Sequence, residues 1–316
     1  MPCVSVIIPN YNHAPFLKQR IDSVLNQTYK DFEVILLDDC STDNSKEIIE
    51  EYAAHPKVSQ VLFNQTNSGG TFKQWQKGLL LAKGSYIWIA ESDDYADTNF
   101  LSTLMRPFEQ HPDLILSYCQ SSVMDEAGNF LHLSKWADPL DRRRWKHNYI
   151  ENTAVELDRF LSYRNTIPNA SGVVFVKPDN LDILNASVNL KMAGDWMFWR
   201  KLLNRPGKIA YTATPLNYFR LHQQTTRHAS TQDKELARHR ELKFLIVPEK
   251  LNPFNKRYDW MIINWWVHRV FLKGTYYYYL PDLPLTLLLR IPIVLFKKAL
   301  NKLTRGLQQP TFEAEM

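Results

Sequence analysis

Five apolar runs punctuate the first 120 residues at regular intervals. They read as strands near Val4–Ile8, Phe32–Leu37, Val58–Phe63, Tyr86–Ala90 and Leu114–Tyr118. Helical patterns lie between them, near Phe16–Asn26, Ser45–Ala54, Phe72–Ala82 and Phe100–Gln110. Strand and helix in this rhythm predict βαβ units and an α/β fold built on a mostly parallel sheet. The strands are continuously apolar rather than alternating, which suits a sheet covered on both faces. "STD" at Ser41 and "DTN" at Asp97 are helix-start signals.

The rhythm then weakens. Residues Asp125 to Thr153 include "ADPLDRRRWKHN", which has no period and reads as an irregular loop. Val155–Ser162 reads as a helix, Gly172–Val176 as a strand, and "GDWMFWRKLL" from Gly194 as a helix. Ile209–Thr212 and Leu216–Leu221 read as two short strands, and the chain beyond about Lys234 as helical. At 316 residues the chain has ample length for a core. Aromatic residues make up 13% of it; core packing accounts for most of them, with sugar or membrane-interface contacts as the other uses. Cys3, Cys40 and Cys119 are too scattered for a zinc ribbon or a disulfide framework, and a reducing cytosol is expected. No leader is read before "CVSVIIP".

Ligands of open parallel sheets bind beyond the carboxyl ends of the strands. Three strand ends here carry polar clusters: "PNYN" (Pro9–Asn12), "DDCSTD" from Asp38, and "ESDD" (Glu91–Asp94). Each alone could serve turns and helix caps. All three at one edge point to a ligand. Oxygen-only ligands, without cysteine or clustered histidine, indicate Mg²⁺ or Mn²⁺, which in turn holds substrate phosphates. Glu91 and Asp93 form a D-x-D-like pair and face the same side if the chain stays extended. Neither a GxxxxGK[ST] nor a GxGxxG loop is present. "NSGG" from Asn67 is a glycine turn before a helix whose start can face an anion. Lys73 lies one turn into that helix, where phosphate contact and a solvated surface position are both open.

In order and spacing, "VSVIIPNYN", "FEVILLDDCSTDNS", "NSGG" and "IAESDDY" resemble glycosyltransferase family 2, strongly over Val4–Gln120 and more loosely to His222. The resemblance implies a GT-A fold and an inverting enzyme that uses a nucleotide-sugar. It divides the chain into a catalytic domain, 1–225, and a helical C-terminal region, 226–316. Within the former, 1–120 would bind the donor and 121–225 the acceptor. It places Pro9, Tyr11 and Asn12 in the base and ribose pocket with Asp38 and Asp39, and Asn67, Lys73 and Ser92 along the donor. Glu91 and Asp93 fall at the D-x-D positions. Asp93 or its neighbour Asp94 would hold Mn²⁺ or Mg²⁺, and His222 would reach the metal or diphosphate. Asp195 would be the general base, although Gly194 stands where relatives have Glu. "NAS" at Asn169 would border the acceptor. The Q-x-x-R-W signature of processive members is missing after Asp195; "DRRRW" from Asp141 precedes it and lacks the Gln, so one sugar per encounter is expected.

The resemblance suggests UDP as the nucleotide and a glycan or lipid-linked acceptor in cell-surface polysaccharide or lipopolysaccharide synthesis. Two rivals are a metal-dependent nucleotidyltransferase and a non-catalytic nucleotide-sugar-binding protein at a membrane. The net charge is +5, and residues 283–309 alone carry Arg290, Lys297, Lys298, Lys302 and Arg305 with no acid. So local an excess does not suit a nucleic-acid surface. Its longest charge-free stretch falls short of the roughly 20 apolar residues a spanning helix needs. It reads either as a basic amphipathic element on an anionic membrane surface or as a segment docked on the catalytic domain. The first would make the protein cytoplasmic and peripheral on the inner face of the membrane.

Overall fold

The computed structural model describes residues 2–222, except Tyr163 and Met192, together with Pro292. The chain divides into two compact units, Met1–Leu245 and Ile246–Met316, and the fold described lies in the first. The expected helical region 226–316 and its basic tail, 283–309, lie outside the described residues, as do 223–225 at the end of the expected catalytic domain. Among the described residues no helix is long and apolar enough to cross a membrane.

Strands β1 (Val4–Asn10) and β2 (Phe32–Asp38) are buried at all seven positions each, as their mostly apolar runs suit, and the buried Ser5 and Glu33 they carry hydrogen-bond to each other. They pair in parallel, with Val4 opposite Phe32 and Asn10 opposite Asp38. β3 (Val58–Phe63) extends the sheet beyond β2, and β4 (Tyr86–Ile89) lies on the other side of β1. The order β3-β2-β1-β4 therefore reverses direction at β1, which opens a crevice between the carboxyl ends of β1 and β4. Helices α1 (Ala14–Leu25), α2 (Ser45–Tyr52) and α3 (Thr71–Leu81) make the crossovers.

The second half is mixed. After β5 (Tyr95–Ala96) and α4 (Phe100–Gln110), β6 (Leu114–Met124) forms a long strand. The expected irregular stretch contains two strands, β7 (Phe130–Leu133) on β6 and β8 (Tyr149–Asn152). All four residues of β7 are exposed, so no inward face imposes an alternating pattern on its sequence. In the polar "DRRRW" run, Arg144 turns inward. It stacks on Tyr149 and Phe160 and pairs with the buried Glu156 at 2.9 Å. Glu156 belongs to α5 (Thr153–Glu156), which continues as a wider turn through Leu161.

β9 (Val173–Val176) inserts antiparallel between β4 and β6. After α6 (Gly194–Leu202), β10 (Lys208–Arg220) runs parallel to β6 and also pairs with β5 and β8. The two strands expected here are one. Its pairing slips between Thr212 and Asn217, where Pro215 has no N–H to offer. Among the described residues, more than half of the aromatic side chains are buried. Phe72, Trp75, Phe175, Phe198 and Trp199 form one buried cluster that ties α3, β9 and α6 together.

Candidate active site

The crevice at β1 and β4 is closed by three turns. β1 runs into Tyr11, which is exposed, and Asn12, which adopts the left-handed φ of 56° that asparagine tolerates. The Asn12 side chain accepts from the Thr42 N–H at 2.7 Å, and its own N–H donates to Ser41 Oγ at 2.9 Å. Pro9 lies within buried β1. Asp38 accepts from Asn10 Nδ2, Ser41 N–H and Ser41 Oγ, so it knits the first two turns together. Asp39 accepts from Asn64 Nδ2, Ser68 N–H, Ser68 Oγ and Gln74 Nε2. Asn67 Nδ2 donates to the Asp39 carbonyl, and Lys73 Nζ to the Ser68 carbonyl. These residues shape the turn after β2 and the loop leading into α3.

After Ile89 the chain turns instead of staying extended: the Asp94 N–H donates to the Glu91 carbonyl at 3.2 Å. The carboxylates of the D-x-D-like stretch thus acquire separate partners. Glu91 Oε1 accepts from the Trp75 indole at 2.7 Å. Burial beside Asp93 pushes the Glu91 carboxyl up to about 8, against the Trp75 bond. Asp94 accepts from the Arg220 N–H at 3.0 Å and Asn169 Nδ2 at 3.1 Å, and burial lifts it to about 6. Asp93 Oδ2 lies 3.0 Å from His222 Nε2. Burial works to raise Asp93, but the His222 hydrogen bond and the adjacent imidazoles outweigh it, and the net shift is downward.

Three residues absent from the expected set complete this region. His13, at the start of α1, places Nδ1 2.8 Å from the buried Ser92 Oγ, and its ring meets His222 edge-on at 5.2 Å. Burial lowers its pKa. The donor atoms of His13, Asp93 and His222 lie within 4.8 Å of one another. Arg20 is fully buried behind the carboxylates, with Nε on the Glu91 carbonyl at 2.8 Å. Desolvation lowers its pKa to about 10 despite Asp94, Asp93 and Glu91 nearby. Arg220 reaches the Asp93 carbonyl, the Glu126 carbonyl and Gln19, each at 2.5–3.0 Å.

One carboxylate and two imidazoles form a donor set that fits a first-row dication such as Mn²⁺. The oxygen-only set expected from spacing gave His13 no place, because only the topology brings residues 13, 93 and 222 together. Asp94 is not part of this trio; protein donors occupy both its oxygens.

The model of a family described as glycosyl transferase family 2 matches residues 5–165, just over half of the chain. The chain belongs to glycosyl transferase family 2. Over 129 residues it is 38% identical to the glycosyltransferase GlyG of Streptococcus pneumoniae; the match spans 40% of this chain and 42% of GlyG. It is 34% identical over 116 residues to TarS of Staphylococcus aureus, a poly(ribitol-phosphate) beta-N-acetylglucosaminyltransferase, across 35% of this chain and 20% of TarS. The chain thus matches well under half the length of each. The crystal structure of TarS 1-349 with UDP-GlcNAc superposes with a TM-score of 0.60 at 21% identity, covering 85% of this chain and 73% of that one. A mannosyltransferase of Pyrobaculum calidifontis, solved with GDP-Man and Mn²⁺, gives 0.52 at 16% identity, covering 77% and 63%. The fold is accordingly the GT-A fold of this family.

Asp195 lies in the first turn of α6, one residue beyond Gly194. Ala193 holds the cap position, so Asp195 is not the capping residue. Its Oδ1 accepts from the Trp196 N–H at 2.7 Å, and its Oδ2 from Asn165 Nδ2 at 2.9 Å. α6 is anchored to the site through Trp75, which meets Phe198 edge-on and Trp199 at a tilt while binding Glu91. Gly194 has no room for a side chain. A Cβ there would lie 2.4 Å from the buried Phe72 ring. Asn169 and Ser171 stand behind the D-x-D turn: Asn169 donates to Asp94, and Ser171 Oγ accepts the Glu91 N–H at 3.1 Å.

Proposed function

We propose that the protein is a metal-dependent, inverting glycosyltransferase. It moves a sugar from a nucleotide-sugar, a UDP-sugar in the first instance, to a hydroxyl of a glycan or lipid-linked acceptor in surface-polysaccharide synthesis. The observation that carries this reading is the pairing of Asp93 with His222 at the crevice where a parallel sheet receives ligands. The names of GlyG and TarS support the reaction class, and the TarS complex supports the donor.

In this reading residues 1–225 form the catalytic domain. Pro9, Tyr11, Asn12, Asp38 and Asp39 line the nucleotide pocket, with Asn67 and Lys73 at its rim. Glu91 and Ser92 bound the donor, and Asp93 and His222 hold Mn²⁺ or Mg²⁺. Bound there, the ion offsets negative charge on the departing diphosphate. Asp195 takes the proton from the acceptor hydroxyl, whose oxygen attacks the anomeric carbon from the face opposite the leaving group. The Trp196 N–H and Asn165 fix the carboxylate. No covalent intermediate is required.

The test is nucleotide release from a panel of nucleotide-sugars with Mn²⁺, read by coupled UDP detection. Asp93→Asn should abolish metal-dependent release. Asp195→Asn should remove most transfer while donor affinity stays within a few-fold. Release of pyrophosphate from a nucleoside triphosphate, or UDP binding indifferent to both Mn²⁺ and Asp93, would overturn the proposal.

A further inference from the structure

We infer that His13 is a third protein ligand to the dication, so that His13, Asp93 and His222 form a two-histidine, one-carboxylate site favouring Mn²⁺ over Mg²⁺. This rests on the metal-dependent reading above and adds to it a residue from the other side of the crevice.

The geometry comes first. Donors that share one first-row dication sit about 2.0–2.2 Å from it, hence no more than roughly 4.4 Å apart. The three donor atoms already lie within 4.8 Å of one another. A contraction of a few tenths of an ångström closes the set, and side-chain rotation alone supplies that.

The ordinary role for a polar residue at this position does not account for His13. It occupies the cap position of α1, yet its side chain caps no N–H of the helix. The ring instead faces across the crevice, edge-on to His222 and bonded to Ser92, the residue immediately before Asp93. Phe16, one turn into α1, packs on the His222 ring at 5.0 Å and keeps the two imidazoles adjacent. A serine hydroxyl on one ring nitrogen is the kind of outer contact that fixes an imidazole's orientation toward an ion.

The donor chemistry then sets the preference. Mg²⁺ demands near-octahedral oxygen ligation and dehydrates reluctantly. Imidazole nitrogens suit first-row dications better than Mg²⁺, with an affinity that rises from Mn²⁺ toward Co²⁺. Two such nitrogens beside a single carboxylate make this a site for a transition metal.

The experiment uses the full chain with UDP and Mn²⁺. Pulsed electron paramagnetic resonance of the wild type should show two histidine nitrogens coupled to the ion. His13→Ala and His13→Gln should each show one. Losing even an outer-shell partner weakens metal sites 10–100-fold, so either variant should bind Mn²⁺ roughly tenfold or more weakly. The Mg²⁺ affinity, measured by competition, should change far less. A single coupled nitrogen in the wild type, or unchanged Mn²⁺ affinity in both variants, overturns the assignment of His13. In that case Asp93→Asn still losing the ion leaves the proposed function intact. No Mn²⁺ bound by the wild type with UDP defeats both together. The nitrogen count in the wild type needs no variant, and circular dichroism checks that the variants fold.

Discussion

Arg220 offers the sharpest test of how the site is built. Its side chain is 3% exposed and makes three hydrogen bonds, to the Asp93 carbonyl, the Glu126 carbonyl and Gln19. It also packs over Phe16 at 4.8 Å and Tyr95 at 5.5 Å. Arg220→Met keeps most of the apolar stem and the backbone N–H that serves Asp94, so it isolates the guanidinium. Hydrogen bonds from a charged donor are each worth about 1.5–3 kcal/mol. They do not add fully, and Gln19, which is exposed, recovers a water. Leaving the two carbonyls without their donor costs about 1–3 kcal/mol each, and we take about 3–5 kcal/mol in all as the expected loss. With a urea dependence of roughly 2–3 kcal/mol per molar, the unfolding midpoint should fall by about 1–2.5 M. Arg220→Lys should recover less than half, because an ammonium cannot span three acceptors with the fixed fork of a guanidinium. Urea titration by tryptophan fluorescence is the assay. A midpoint drop under about 0.5 M for Arg220→Met would refute the view that this guanidinium fastens β10 to the D-x-D turn.

Gly194→Glu should lower stability by about 1–3 kcal/mol through collision with Phe72, and Phe72→Ala in the same chain should relieve part of it; denaturation of the double variant decides. Trp75→Phe keeps the ring packing but leaves Glu91 without its indole donor. It should cost about 1–3 kcal/mol, with thermal unfolding as the measure. Burial, against Arg144 and Thr166, holds the Glu156 carboxyl above its ordinary 4.5. The folded state then keeps a proton that the unfolded chain releases, so this group's contribution to stability falls as pH rises from 4.5. Glu156→Gln should flatten that part of the stability–pH curve, read by urea unfolding at several pH values.

The first half of the fold was legible because each of its main strands is a mostly apolar run, broken only by single residues such as Ser5 and Glu33 or by the Ser59–Gln60 pair of half-buried β3, and each crossover an amphipathic helix. The second half was less so, for identifiable reasons. "VVFV" in β9 reads the same whichever way the strand runs, and only its neighbours β4 and β6 make it antiparallel. β10 looked like two strands because Pro215 and its polar surroundings interrupt the pattern at the register slip. Arg144 sat in a run of basic residues, and nothing local told that it would be enclosed by Tyr149 and Phe160.

At the site, the strand-end clusters were visible because polar residues cut off apolar runs abruptly. Their partners were not. Asp39 is bound by a loop that follows the next strand, and Arg20 reads as one more polar helical residue although it is wholly buried. A signal for His13 did exist. Once β1 and β4 are read as neighbours, the turns that follow them must meet, which puts His13 beside Ser92.

The trio His13, Asp93 and His222 draws on the first turn of the sheet, its middle and the residue pair just past its last strand. A nascent chain emerging in order cannot grip an ion there until β10 has threaded in beside β6. Metal capture would therefore mark completion of the domain, and a shortened product ending before Arg220 would leave the ribosome unable to hold the ion.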